Sequence, residues 1–375
     1  MDFTIKPVDT KAEKMRFIRC HWNFYKNDTS WVPPIVADRV KLLDTVKNPF
    51  FKHSLMQLFL AESNGKIVGR IAAIINDNHN KTHKDKVGFF GFFECIDNQE
   101  VADALFDIAA DWLKARGMTS MRGPENPSQN DEVGLLMDAF DKPAVILMTY
   151  NPEYYIKLIE NYGFNKAKDL WAYLLEMNTY LTEKIVRMQN IIRERYEIKI
   201  REVNFKNKEQ FQKDVDTIKE IYNSAWEPNW GFVKMTDEEF DFLAADLKSI
   251  AEPKFTFIAE SKGKPMGFAL GLPDINQCLI HNKKGSLLGA IWQLVTKRKK
   301  IDTLRIIVLG VLKEFQKTGV DAVMYYEFAS RGKEMGINRG EASWILEDNE
   351  MMNRALTVTM NGKVYKTYRL YEKEI

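Results

Sequence analysis

The chain has only three cysteines, Cys20, Cys95 and Cys278. They are widely separated and form no CxxC pair, which argues against a disulfide framework and against a zinc ribbon. Long apolar runs are also missing, since stretches such as Ser286–Val295 fall far short of the roughly 20 residues that span a bilayer. No sign of charge dominates: 54 basic and 52 acidic residues leave a net charge of +2. A general attraction to DNA or to an anionic surface is thereby excluded, and such a partner would have to meet a local patch. The motifs GxxxxGK[ST], HExxH, GxSxG and GxGxxG are all absent, which argues against nucleotide hydrolases, zinc proteases, serine hydrolases and dinucleotide-dependent dehydrogenases. The N-terminal MDFTIKPVDT carries no basic flank followed by an apolar core, so no signal peptide is expected. The chain reads as a soluble, cytoplasmic protein with no membrane span.

What is present is ordinary globular composition, 45% apolar and 28% charged, over 375 residues, enough for two or three domains. The stretch Thr303–Tyr326, TLRIIVLGVLKEFQKTGVDAVMYY, reads as a buried strand over Leu304–Val311, a polar connection over Lys313–Gly319, and then a helix. A helix start of this kind offers backbone N–H groups and a favourable dipole to an anion such as a pyrophosphate.

The chain also repeats itself. FLAESNGKIVG at Phe59–Gly69 returns as FIAESKGKPMG at Phe257–Gly267, two strands around an Asn-Gly or Lys-Gly turn. Identity extends into the strands, and the flanking elements follow in the same order, which marks an internal duplication. The first copy runs from strand Phe3–Val8 and helix Lys11–Asn27 to the hairpin. It continues through strand Val87–Cys95, helix Gln99–Arg116, the loop GPENPSQNDEVG, an apolar strand at Ala144–Thr149, a short helix at Pro152–Asn161 and a last strand at Asp169–Met177. The second copy begins near Glu197 and ends with strands at Glu341–Leu346 and Lys363–Tyr371.

This order, with Gln316 and Gly319 in the connection and Tyr162-Gly163-Phe164 after the short helix, resembles the GNAT superfamily of acyl-CoA-dependent N-acyltransferases. The resemblance implies an α/β (α+β) protein of two tandem GNAT-like domains, each a mixed, mainly antiparallel twisted sheet flanked by helices. The expected boundaries are 1–178, a connecting helix at 179–196, and 197–375. It further implies acyl transfer from acetyl-CoA or another acyl-CoA to a small-molecule amine, the acetyl group being the expected one. The cofactor would lie in the second domain at Leu312, Gln316, Lys317, Thr318 and Gly319. Asp321 stands where that pattern has a small residue. The first copy has Asp97 and Glu100 around its helix start and no glycine there, which disfavours a phosphate. The family's usual acid, a tyrosine one turn before the Gly-Phe turn, is replaced by Ile159 and Val358.

The chemistry requires a base for the amine and an acid for the leaving thiolate. Glu94, Glu341 and Glu347 are the candidate bases, and Tyr365 is a candidate acid among Tyr365, Tyr368 and Tyr371, whose alternation also suits core packing. Asn126, Ser128, Asn130, Asp274, Asn276, Trp344 and Asn349 lie on loops and strand ends where substrates bind. His79 and His83, in the polar NDNHNKTHKDK, read as a solvated loop, and no metal site is expected. Two alternatives stand beside acyl-CoA chemistry. One is a Fem-type aminoacyl-tRNA-dependent transferase, which the neutral charge disfavours and the basic run Lys297–Lys300 favours. The other is a non-catalytic binding or scaffold protein, favoured by Asp321 and the missing tyrosines. Neither the acceptor amine nor an oligomeric state is written in these patterns.

Overall fold

The computed structural model describes residues 1–227 and 229–375 and divides into two compact units. The first comprises Met1–Leu170, Cys278–Thr296 and Lys366–Ile375, and the second Trp171–Gln277 and Lys297–Tyr365. These differ from the contiguous halves expected from the sequence. A strand's alternating pattern is the same whichever sheet it joins, so exchanged terminal strands leave no mark in the pattern.

In the first unit the strands Thr4–Pro7, Ser54–Ser63, Lys66–Asn76 and Val87–Cys95 pair antiparallel in that order. Val87–Phe89 then pairs in parallel with Ser120–Arg122. The outer side of Ser120–Gly123 is taken by Tyr371–Glu374, antiparallel. Helix Gln99–Lys114 is capped by the Asn98 side chain on the Val101 N–H at 3.1 Å. It lays Val101, Ala102, Leu105, Phe106, Ala109, Ala110 and Leu113 against the sheet. Phe106 stacks on Phe93 and packs edge-on to Phe90; each such fully buried side chain contributes about 1.5–3 kcal/mol.

The second unit repeats the plan. Ile198–Glu202, Thr256–Ser261, Lys264–Pro273 and Thr303–Val311 pair antiparallel, and Thr303–Ile306 pairs in parallel with Arg339–Ala342. Helix Val320–Glu334 buries Val320, Val323, Met324, Tyr325, Phe328 and Ala329.

The duplication reaches the backbone. The first hairpin turns through Asn64 and Gly65 and the second through Lys262 and Gly263, all at positive φ, as a two-residue primed turn requires. Both hairpins shift register at the same place, between Ala61 and Glu62 and between Ala259 and Glu260. The serines that end their first strands, Ser63 and Ser261, each donate a 2.6 Å hydrogen bond to a carbonyl preceding the first strand of their own unit, on Asp2 and Tyr196.

Three local expectations change. The helix expected over Lys11–Asn27 is two helices, Lys11–Arg19 and His21–Phe24. Ala144–Thr149 is not a strand but irregular chain. Asp77–His83 is a helix capped by Asn76, and His79 is buried there, edge-on to Phe89.

Candidate active site

In each unit the two parallel strands pair briefly and then part, and the two gaps end differently. In the first unit the gap is filled by its own chain. Asn126 Oδ1 accepts from the Phe92 N–H at 2.6 Å, and Tyr155 Oη accepts from the Cys95 N–H at 3.0 Å. Tyr154 donates to the Cys95 carbonyl at 2.7 Å. A Cβ at Gly91 would fall 1.7 Å from the Glu125 carbonyl oxygen. As a result, every residue of Val87–Cys95 is buried.

Within that filled gap lies a charged cluster. Glu94 Oε2 accepts from the Tyr155 hydroxyl at 2.7 Å, and Oε1 lies 2.5 Å from His21 Nε2 and 3.5 Å from Arg70 Nη2. Arg70 also donates to the Phe17 carbonyl at 2.6 Å, lies over the Phe17 ring and crowds His21 Nε2. Burial alone would raise the Glu94 carboxyl, but His21, Arg70 and Tyr155 outweigh it and hold it below the usual carboxylate range. Burial, reinforced by the guanidinium, pushes His21 down to about 4, so at neutral pH the ring is neutral. Its other nitrogen, Nδ1, is buried and makes no hydrogen bond.

The polar loop of this unit is structurally engaged. Ser128 donates to Asp131 at 2.6 Å and accepts from the Asn130 N–H at 3.2 Å, while Glu132 holds Arg39 through two bonds of 2.9 and 2.6 Å. Glu125, which the sequence reading passed over, is buried with one carboxyl oxygen unpartnered. Burial pushes it up to about 8, leaving it protonated at neutral pH.

In the second unit the corresponding stretch is less fully covered. Beyond the Ile306–Ala342 pair, Ile307, Val308, Leu309 and Val311 are half-buried. Glu341, one residue before the last pair, is fully buried and lies opposite Arg305 in the register. Ser343 donates to Glu341 Oε1 at 2.8 Å and Arg305 Nε donates to Ser343 Oγ at 3.1 Å. Tyr365, half-buried, donates its hydroxyl to Glu341 Oε2. The Arg305 guanidinium also lies 4.9 Å from the centre of the Trp344 ring. Thus Glu341, Tyr365 and Trp344, chosen separately from the sequence, share one cluster with Arg305 and Ser343. Glu94 lies in the first unit. Glu347 stands at the turn after the strand, its carbonyl accepting from Asn353 at 3.1 Å. Asn349 caps the helix Glu350–Arg354 through the Met352 N–H, and Asp274 accepts from the Asn276 N–H in the turn that ends the hairpin.

The segment expected from the sequence to hold the cofactor phosphates follows the central strand. Leu312 leads into a 3-10 turn, Lys313–Phe315, with Gln316 and Lys317 exposed after it. Thr318 donates to the Phe315 carbonyl at 2.7 Å, and its hydroxyl accepts from the Val320 N–H at 3.3 Å. Gly319, at φ +82°, is the N-cap of the cradle helix, a conformation that glycine adopts without steric cost. A Cβ there would meet Ile192 of helix Glu183–Tyr196 at 2.9 Å. Asp321 is oriented so that burial raises its carboxyl, while hydrogen bonds from its own N–H and that of Ala322 oppose the shift. It stands in the first turn of helix Val320–Glu334.

No protein-family model matches the chain. The bacterial ceramide synthase of Caulobacter vibrioides is 35% identical over 383 aligned residues, covering 100% of this chain and 98% of that protein. Protein YghO of Escherichia coli is 34% identical over 376, covering 97% and 94%. Among solved structures, the tandem GNAT protein from the clavulanic acid biosynthesis pathway superposes with a TM-score of 0.58 at 10% identity, over 100% of this chain and 98% of that one. A GCN5-related N-acetyltransferase from Anabaena variabilis gives 0.53 at 10% identity, over 100% and 73%. The repeated hairpins, the two parting strand pairs and these likenesses have one reading: the chain has the tandem GNAT fold and belongs to the family of the Caulobacter bacterial ceramide synthase and protein YghO.

Proposed function

We propose that this protein joins a long-chain acyl group from acyl-CoA to the amine of a lipid base, with the acyl-CoA held in the second unit. The observation that supports this reading is the half-buried strand beyond the Ile306–Ala342 pair, set against the wholly buried one in the first unit. The relative's name supports the amide product, since a ceramide is an N-acylated long-chain amino alcohol, and it favours a long acyl chain over the acetyl group. Gln316, Lys317, Thr318 and Gly319 would hold the phosphates once the Asp321 carboxylate yields the helix start.

Tyr365 stands between buried Glu341 and the surface. As the amine attacks the thioester carbonyl, its proton passes to the Tyr365 oxygen while the tyrosine's own proton moves to Glu341. When the C–S bond breaks, the reverse shift returns a proton to the thiolate, so amide and free CoA leave and the pair is restored. Arg305, through Ser343, holds Glu341 ready for this exchange.

The test is to incubate the purified protein with palmitoyl-CoA or acetyl-CoA and with sphinganine or putrescine, following free thiol and amide mass. Palmitoyl transfer to sphinganine, well above the other three combinations, is expected. Acetylation of putrescine alone would overturn the lipid assignment. Absence of thiol release from every pair would favour the non-catalytic reading that Asp321 in the cradle supports.

A further inference from the structure

The second copy carries a segment that the first lacks. Hairpin and central strand are joined by residues 77–86 in the first copy but by the much longer 274–302 in the second. The extra length forms the helix Leu287–Lys297. Its apolar face is turned outward: Leu287, Leu288, Ile291, Trp292 and Val295 are all exposed, Leu288 at 82%, Trp292 at 66% and Val295 at 78%. At helical spacing these five form one continuous stripe. The inward side is small, with Ala290 buried and Gly289 so close to Asn282 that a Cβ would lie 2.3 Å from its side-chain oxygen. Among the helix's larger apolar residues only Leu294 is half-buried.

Charge accompanies the stripe. Lys283 and Lys284 precede the helix, and Lys297, Arg298, Lys299 and Lys300 end it or follow it directly. No acidic residue occurs between Asp274 and Asp302. Of the six cations, Arg298 is bonded to Glu252 at 2.9 Å, while Lys283, Lys284, Lys299 and Lys300 are exposed. Helix Leu287–Lys297 is too short to span a bilayer, and no helix among the described residues is long and apolar enough to do so. An exposed Leu/Ile/Trp/Val stripe between clusters of lysine is what an interfacial helix needs: the stripe enters the acyl boundary and the cations meet anionic headgroups.

We infer that Leu287–Lys300 docks this protein on the surface of an anionic lipid bilayer. The inference is independent of the acyl-transfer reading, because it concerns binding to lipid and needs no turnover. The test is flotation of the purified full chain with vesicles of phosphatidylcholine alone or with a third phosphatidylglycerol. Binding to the anionic vesicles is expected, and it should weaken as salt rises. Leu288→Asp combined with Trp292→Asp should lower binding at least tenfold, and Lys299→Glu combined with Lys300→Glu should lower it on anionic vesicles specifically. Both variants should melt like the wild type, because these side chains are exposed. Failure of the wild type to float, or flotation unchanged in the apolar variant, would overturn the proposal. So would a wild-type dimer in sedimentation that the apolar variant converts to monomer without any vesicle binding, since the stripe would then be a contact between copies.

Discussion

Single residues test the proposed phosphate cradle. Asp321 stands at the helix start where the proposal puts the phosphates of acyl-CoA. Asp321→Asn should therefore lower the KM for acyl-CoA by about tenfold, whereas Lys317→Glu, on an exposed side chain, should raise it by a similar factor without moving the melting temperature. The reverse pattern in steady-state kinetics would place the cofactor elsewhere. Tyr365→Phe should lower kcat by about a hundredfold or more with little change in KM if the hydroxyl relays the proton, and mass-detected turnover reads this directly. Glu125 gives a pH prediction of definite sign. The folded chain keeps this proton up to about pH 8, while an unfolded glutamate loses it near about 4.3. Its contribution to stability is thus fully present below the unfolded value and is lost as pH rises toward 8. Glu125→Gln should melt above the wild type at pH 8, with the difference shrinking toward pH 5.

At the scale of elements, the parting strands are where two copies of one plan differ. Gly91 is where the first gap closes, because the Glu125 carbonyl occupies the space of a side chain. Gly91→Ala should cost more than about 3 kcal/mol, measured by denaturant unfolding, whereas Gly65→Ala, with nothing near, meets only the strain of its positive φ. The hairpins were legible in the sequence because turn chemistry and strand identity repeat together, and so was the strand–turn–helix of the cradle. The Glu94 cluster was legible only in part. Arg70 within IVGRIAAII, Glu94 within GFFGFFEC and Arg305 within TLRIIVLGV are lone charges in apolar strands, and a charge buried there requires a partner. That signal identifies the buried groups, but not His21 or Tyr155, which arrive from distant helices. The outward face of helix Leu287–Lys297 was not legible, because a stripe at helical spacing has the same pattern whether it faces a core or water.

At the scale of the molecule, the units are discontinuous. Lys366–Ile375 completes the first unit, where Arg369 forms a bidentate pair with Asp169 at 2.8 and 3.0 Å and Lys366 donates to the Pro143 carbonyl at 2.6 Å. A mainly antiparallel sheet flanked by helices could be expected from the sequence; the exchange could not, since it depends on which sheet edge is free. That exchange sets an order of events during synthesis. Ser120–Gly123 emerges early and pairs on one side with Val87–Phe89, but the strand that covers its other side, Tyr371–Glu374, is translated far later in the chain. At elongation rates of about 5–20 residues per second this interval is roughly 12–50 s. Throughout it the first unit has an open sheet edge beside an unfinished apolar core, and a nascent chain in that condition depends on a chaperone or on ribosome proximity to avoid pairing with its neighbours.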